Sequence, residues 1–247
     1  MFSKSQIKLI KSLSQKKFRM KNGLFVIEGK KGIFELLNSS LKLYALYTTE
    51  DIFNAEAEKT FLISEADLKK ISNLNTSQTA LAVFFIPKPE VPVVGGLQLV
   101  LDEVQDPGNL GTIIRLCDWF GIEQLICSIG TVDCYNPKVV QATMGSIARV
   151  QIHYYNIAEY LSAAQTKTEI YGTFLEGANV YAEDLPSEGI IVLGNEANGI
   201  SEEVEALVFK KLKIPQFGTS QNTESLNVAT AAAIFLSEFS RRNFTEK

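Results

Sequence analysis

The segment LQLVLDEVQDPGNLGTIIRLCDWFGIEQLICS, residues 97–128, constrains the fold of this chain more than any other. LQLVLDEV (97–104) is an apolar run of strand length, DPGNLG reads as a turn, and TIIRLCDWFG (112–121) has helical spacing and stops at Gly121. EQLICS (123–128) is a second strand. Strand, helix and strand in so short a stretch predict a parallel pair joined by a right-handed crossover. EIYGTFLE (169–176), GIIVLGNE (189–196) and KLKIP (211–215) add strands. Helices are expected over 136–147, over 201–208 with Ser201 as cap, and from about Ser225 to Arg241.

Upstream, GLFVIEG (23–29), LYALYTT (43–49), TFLIS (60–64) and TALAVFFIP (79–87) read as strands. Helical periodicity covers 3–14 and 33–37, and Ser64 stands three residues before Asp67 at the start of a capped helix, 64–72. This alternation predicts a small α/β unit. PKPEVPVVGG (87–96) suits neither helix nor strand and reads as a linker, so two domains are expected, 1–90 and 97–247.

The chain is 46% apolar and 21% charged, the balance of a globular protein. It has no apolar run of 18 residues, and its N-terminus lacks the apolar core of a secretory signal, so no membrane span or export is expected. Cys117, Cys127 and Cys134 are odd in number and show no CxxC spacing; reduced thiols, a cytoplasmic location and no metal site are the expectation. The net charge is −4, yet residues 1–31 hold nine Lys and Arg against Glu28 alone, a net +8. Such asymmetry fits one end docking on a polyanion, or simply a solvated amphipathic helix.

Three polar clusters each follow an apolar strand: DEVQDPGNLGTIIR (102–115), LGNEANGIS (193–201), and the stretch 216–227 before the alanine-rich last helix. In open parallel sheets ligands bind beyond the carboxyl ends of strands, so the three loops predict one shared site. None matches a dinucleotide or phosphate-loop fingerprint, and no GxSxG elbow occurs. The single histidine, His153, lies in the strand-like VQIHYY and reads as a packed residue, which leaves no His-assisted nucleophile.

Together the clusters resemble the three motifs of the SpoU (TrmH-type) RNA ribose methyltransferases of the SPOUT class: NLGTIIR (109–115), IVLGNEANGIS (191–201), and Ile214-Pro215 followed by SLNVATAAAIFL (225–236). FVIEGKKGIFELL and ISNLNTSQTALAVFF resemble the family's N-terminal substrate-binding domain. The chain departs from the family at Ser77-Gln78-Thr79, where Pro-Gln-Gly is frequent, and at Gln141, near which many members carry an arginine.

The resemblance implies a parallel-sheet domain with a C-terminal trefoil knot, preceded by the small α/β domain, and typically a homodimer in which Ala229 and Ala233 would allow close helix packing. It implies S-adenosylmethionine as cofactor, contacted by Thr173, Phe174, Gly194, Ile214 and Leu226, under a loop running from Gln216 to Ser225. Backbone groups and apolar walls can hold this phosphate-free molecule, and glycine at 194 would let the backbone approach it closely. Arg115 is the implied catalytic residue, with Asn109 and Glu196 orienting it or the ribose, and Ser225 and Asn227 completing the site. Asn227 also fits a helix cap, and Arg115 a surface salt bridge. The implied activity is methyl transfer to a ribose 2′-hydroxyl of structured RNA, ribosomal rather than transfer RNA. A non-catalytic RNA-binding or assembly factor, and a small-molecule enzyme without RNA, are the other readings.

Overall fold

Ser3 starts the first helix with a reciprocal cap. Its hydroxyl accepts from the Gln6 N–H, while Gln6 Oε1 accepts from the Ser3 N–H. The helix, α1 (Lys4–Ser12), turns Ile10 inward, and a short helix that periodicity did not predict, α2 (Lys16–Asn22), ends at left-handed Gly23. There follow β1 (Leu24–Glu28), α3 (Lys30–Leu37), β2 (Leu43–Thr48), β3 (Thr60–Leu62), α4 (Glu65–Ile71) and β4 (Ala80–Phe85). The strands order as β1-β4-β2-β3, antiparallel except for β2 with β3. Ser64 caps α4 through the Asp67 N–H, as the sequence indicates. Ile10, Leu13, Val26, Ala45, Leu68 and Leu81 meet in one core, so the basic helix α1 is fastened by its apolar stripe and leaves its lysines in water.

This computed structural model describes residues 3–74, 76, 78–218 and 225–241. Its compact units are Met1–Pro89 with Asp133–Arg149, and Glu90–Val132 with Val150–Lys247. The second unit opens with β5 (Leu97–Leu101), α5 (Pro107–Phe120) and β6 (Gln124–Ser128). The chain then contributes residues 133–149, with α6 (Pro137–Thr143), to the first unit. There Asp133 accepts from Arg19 Nε at 3.0 Å and Nη2 at 2.5 Å, and Arg19 Nη1 donates to the Leu13 and Ser14 carbonyls. Arg19 is only 2% exposed, so a buried ion pair fixes the start of this excursion.

The second unit continues with β7 (Gln151–Tyr155), α7 (Ile157–Ala164), β8 (Ile170–Asn179), β9 (Gly189–Leu193), α8 (Glu202–Glu205), β10 (Lys210–Lys213) and α9 (Val228–Arg241). Its strands order as β10-β8-β9-β5-β6-β7, and every pair is parallel. β5 and β6 therefore pair in parallel with α5 between them, the strand–helix–strand unit the sequence predicts. Both β5 and β9 run through the centre and carry almost unbroken apolar, buried sequences, as a strand covered on both faces must.

Three local expectations change. DPGNLG is not a turn: Asp106 accepts from the Asn109 N–H, and the helix begins at Pro107, whose missing N–H costs nothing in the first turn. Ser201 makes no side-chain cap; its N–H instead donates to buried Asp102. The last helix starts at Val228 rather than Ser225, because Asn227 Oδ1 takes the Ala229 and Thr230 N–H groups.

Candidate active site

The parallel strands bring their carboxyl ends to one edge of the sheet, and the predicted loops leave from that edge. Asp102 follows β5, Gly194 follows β9, and Ile214 follows β10. β8 is regular as far as Gly172, which pairs with Lys211; pairing resumes only at Ala178 with Leu212. Thr173 and Phe174 therefore lie in a five-residue excursion, 173–177, rather than at the end of their strand. Both are half-buried, and the Phe174 ring has Lys211 Nζ 4.8 Å from its centroid.

Side-chain amides connect the three motifs. Asn227 Nδ2 donates to Asn109 Oδ1 at 2.8 Å, and Asn109 Nδ2 donates to Glu196 Oε1 at 2.9 Å. The directions follow from chemistry. An ionised carboxylate only accepts, so Asn109 must turn its NH₂ to Glu196 and its oxygen to Asn227. Asn227 must then donate, which frees its own oxygen to cap α9. One chain of hydrogen bonds thus sets the amide orientations of the first and third motifs and holds the carboxylate of the second.

The second-motif loop is built around Gly194. A Cβ there would lie 2.2 Å from the Gly199 carbonyl carbon and 2.4 Å from the Ile200 nitrogen. The close approach that requires glycine is that of the chain's own backbone, not of a ligand. Asn195 completes the loop: its N–H and carbonyl pair with Gly199, its Oδ1 accepts from the Ala197 and Asn198 N–H groups, and its Nδ2 donates to the Glu103 carbonyl. Asp102, to which the sequence reading gave no role, is 5% exposed and takes the Ser201 N–H at 2.8 Å. An acid directly ending an apolar strand was its only signal.

Arg115 stands apart from the amide chain. It is exposed on α5, six residues from Asn109, which is about 9 Å along the axis and roughly a third of a turn around it. Among the described residues it makes no ion pair, so neither the surface salt bridge nor a Glu196–Arg115 contact is formed. Glu196 is taken by Asn109 and, at 3.4 Å, by the Gln105 N–H. Ser225 and Leu226 are exposed just before α9, and residues 219–224 of the expected covering loop lie outside the described residues, as does Ser77. Ala229 is buried, and α9 packs on α5 and β9 of its own unit.

The other reactive groups are buried away from this edge or held in their chargeless form. Burial pushes the Cys117 thiol up to about 12, so it stays protonated. His153 is buried in β7 with Nδ1 3.0 Å from the Glu90 carbonyl oxygen. Among the described residues no cluster of three or more His, Cys, Asp or Glu is placed to hold a metal, and no helix is long and apolar enough to cross a membrane.

These features define an α/β enzyme that gathers polar loops, poor in charge, at the carboxyl edge of a parallel sheet. The profile of the SpoU rRNA Methylase family matches residues 96–237, and that of the MRM3-like substrate binding domain matches residues 4–82. The chain belongs to the SpoU rRNA methylase family. It is 31% identical over 237 residues to the 23S rRNA (guanosine(2553)-2′-O)-methyltransferase RlmP of Bacillus subtilis, with 94% of each chain covered. A solved TrmH-family structure from Porphyromonas gingivalis superposes with a TM-score of 0.90 at 41% identity, covering 98% of this chain and 99% of that one. The AdoMet-bound rRNA methyltransferase of Sinorhizobium meliloti superposes with a TM-score of 0.87 at 28% identity, covering 99% and 98%.

Proposed function

We propose that this chain transfers a methyl group from S-adenosylmethionine to a ribose 2′-hydroxyl of ribosomal RNA. The observation that carries the reading is the directional chain Asn227–Asn109–Glu196, which joins all three family motifs at one sheet edge. The cofactor fits the residues present: Thr173, Phe174, Gly194, Ile214 and Leu226 carry no charge, and the cofactor has no phosphate to neutralise. Phe174, Ile214 and Leu226 offer apolar walls, and the backbone of the 173–177 excursion, freed from regular pairing, offers polar groups. Bound there, S-adenosylmethionine supplies an electrophilic sulfonium methyl.

The protein's remaining task is to align the 2′-hydroxyl with the methyl and stabilise the oxygen as its proton passes to water or to a phosphate oxygen of the RNA, the oxygen–methyl bond forming as the sulfur–methyl bond breaks. Alignment alone is worth about 7–11 kcal/mol in favourable cases. A guanidinium stays protonated at neutral pH, so Arg115 acts as a cation, gripping the target phosphate and stabilising the developing alkoxide. That it makes no ion pair among the described residues suits that role. Glu196, held by Asn109, and Ser225 orient the ribose. The polypeptide after β9 is threaded as a trefoil knot, by family membership and the central place of β9. The functional domains are 1–90, gripping RNA, and 97–247, carrying the chemistry in the cytoplasm, with residues 133–149 of the latter packed into the first unit. Two copies pair, by family membership, and Trp119, 84% exposed on α5, is an apolar side chain that such pairing would cover.

The test uses tritiated S-adenosylmethionine with ribosomal RNA from cells lacking the protein, comparing wild type with Arg115→Ala. Label transferred by wild type alone, in an alkali-resistant linkage, is expected. Wild type that binds cofactor but transfers nothing would identify an RNA-binding factor instead.

A further inference from the structure

A cleft of about 360 Å³ lies wholly within the first unit. Lys30 and Lys31 of α3 line it, with Ile27, Val140, Gln141 and Met144. A second cleft, of about 330 Å³, shares Glu28 and Gln141 with the first and adds Asn73, Leu74 and Lys138. The SpoU profile contributes α6 and the substrate-binding profile contributes β1 and α3, so two sequence families build one groove inside one compact body.

We propose that this double cleft binds an unpaired nucleotide of the RNA substrate whose base carries an exocyclic amino group, with Lys31 on phosphate and Gln141 and Glu28 on the base edge. The proposal rests on the RNA methyltransferase reading and locates where the substrate is read.

Charge selects the polymer. The first unit, residues 1–89 and 133–149, holds 16 Lys and Arg against 9 Asp and Glu, a net +7 in a chain whose total is −4. Cations supply the sequence-independent part of nucleic-acid binding. Within the cleft Lys30 is already paired with Glu50 at 3.0 Å, whereas among the described residues Lys31 has no ion pair.

Glu28 excludes phosphate from its own end of the groove and selects the base. It is 6% exposed and held by the Ser72 hydroxyl and the Asn73 N–H, so it is a fixed acceptor. Gln141 has a free amide among the described residues, offering two donors and an acceptor. A carboxylate beside an amide matches a base edge that presents an exocyclic amino group, as those of cytosine, adenine and guanine do, and disfavours uracil, which sets the acceptor O4 in that place. Met144, 41% exposed at the end of α6 with a φ of 52°, supplies apolar surface for the base face over the buried Ile27 and Val140. The second cleft continues past Gln141 and gives the neighbouring nucleotide room.

The experiment measures binding of the full chain to fluorescent ribonucleotide octamers of cytidine and of uridine, by anisotropy at 50 and 200 mM salt. Wild type is expected to prefer the cytidine octamer by about 5-fold or more. Gln141→Ala should bring the two octamers within about 2-fold without altering the salt dependence. Lys31→Ala should weaken both equally and remove one phosphate contact, reducing the loss of affinity between the two salts by ~2.6-fold. Both side chains are outside the core, and circular dichroism will confirm that the variants fold. Equal wild-type affinity for both octamers, no binding at 50 mM, or variants matching wild type would each overturn the assignment. Methyl transfer to ribosomal RNA, run on the same preparations, separates the readings: transfer intact with a failed octamer result removes the cleft alone, and transfer absent from wild type removes the function.

Discussion

Asp133→Ala tests how firmly the 133–149 excursion is held. Asp133 accepts two hydrogen bonds from a guanidinium that is 2% exposed, and its own side chain is 11% exposed. Removing the carboxylate leaves the arginine charge buried, with only the Leu13 and Ser14 carbonyls for company. Breaking a buried pair from one side costs about 3–5 kcal/mol. The two remaining acceptors place this variant near the lower bound. Asp133→Asn keeps one acceptor and loses the charge, for about 1.5–3 kcal/mol. In a unit of this size 3 kcal/mol corresponds to roughly 12 °C or more of melting temperature. Hydrogen exchange read by mass spectrometry locates the effect: amides of α6, of α2 and around Leu13 should lose protection together, while β5 and β9 keep theirs. A loss below about 1 kcal/mol, or uniform deprotection of both units, would refute the argument that the Arg19 pair anchors this segment.

Asn109→Ala removes both hydrogen bonds of the amide chain at a half-buried position; initial rates should fall at least about 10-fold while melting changes by under about 1 kcal/mol. Gly194→Ala drives a methyl into the Gly199–Ile200 backbone and should cost about 1–3 kcal/mol by urea titration and abolish cofactor binding by calorimetry. Arg115→Lys keeps the charge but loses the planar fork; kcat/KM for RNA should drop about 10-fold or more with cofactor affinity unchanged. With its thiol pushed up to about 12, Cys117 carries almost no thiolate at pH 8, and Cys127 and Cys134 are buried too, so a thiol reagent should label all three only in denaturant.

What the sequence makes legible follows from what it encodes locally. The strands of the second unit announce themselves because β5 and β9 are buried on both faces and so read as unbroken apolar runs. The motif loops are visible because Gly, Asn and Asp stand where strands end. The start of α5 is misread because Pro-Gly also favours turns, and only the Asp106 side chain decides between the two. The reason for Gly194 is misread for a different cause: a glycine tells that something comes close, not what, and here it is residue 199 of the same loop. Least legible is the affiliation of residues 133–149. Their helix NPKVVQAT looks like the next step of the α/β alternation, and only the long-range pair with Arg19 and the packing of α6 on β1 assign it to the first unit.

Because of that excursion, the two units are not separable cassettes. The polypeptide passes between the units at residues 89/90, 132/133 and 149/150. A cut after residue 90 would strip the first unit of α6 and of Asp133, leaving Arg19 without its carboxylate and one side of the cleft missing. The second unit would inherit a 17-residue segment, 133–149, with an apolar face made for β1 and nothing to cover it. Grafting the N-terminal 90 residues onto another member of the family would succeed only if α6 travelled with them. Recombination that keeps the first unit whole therefore has to exchange two stretches of sequence at once.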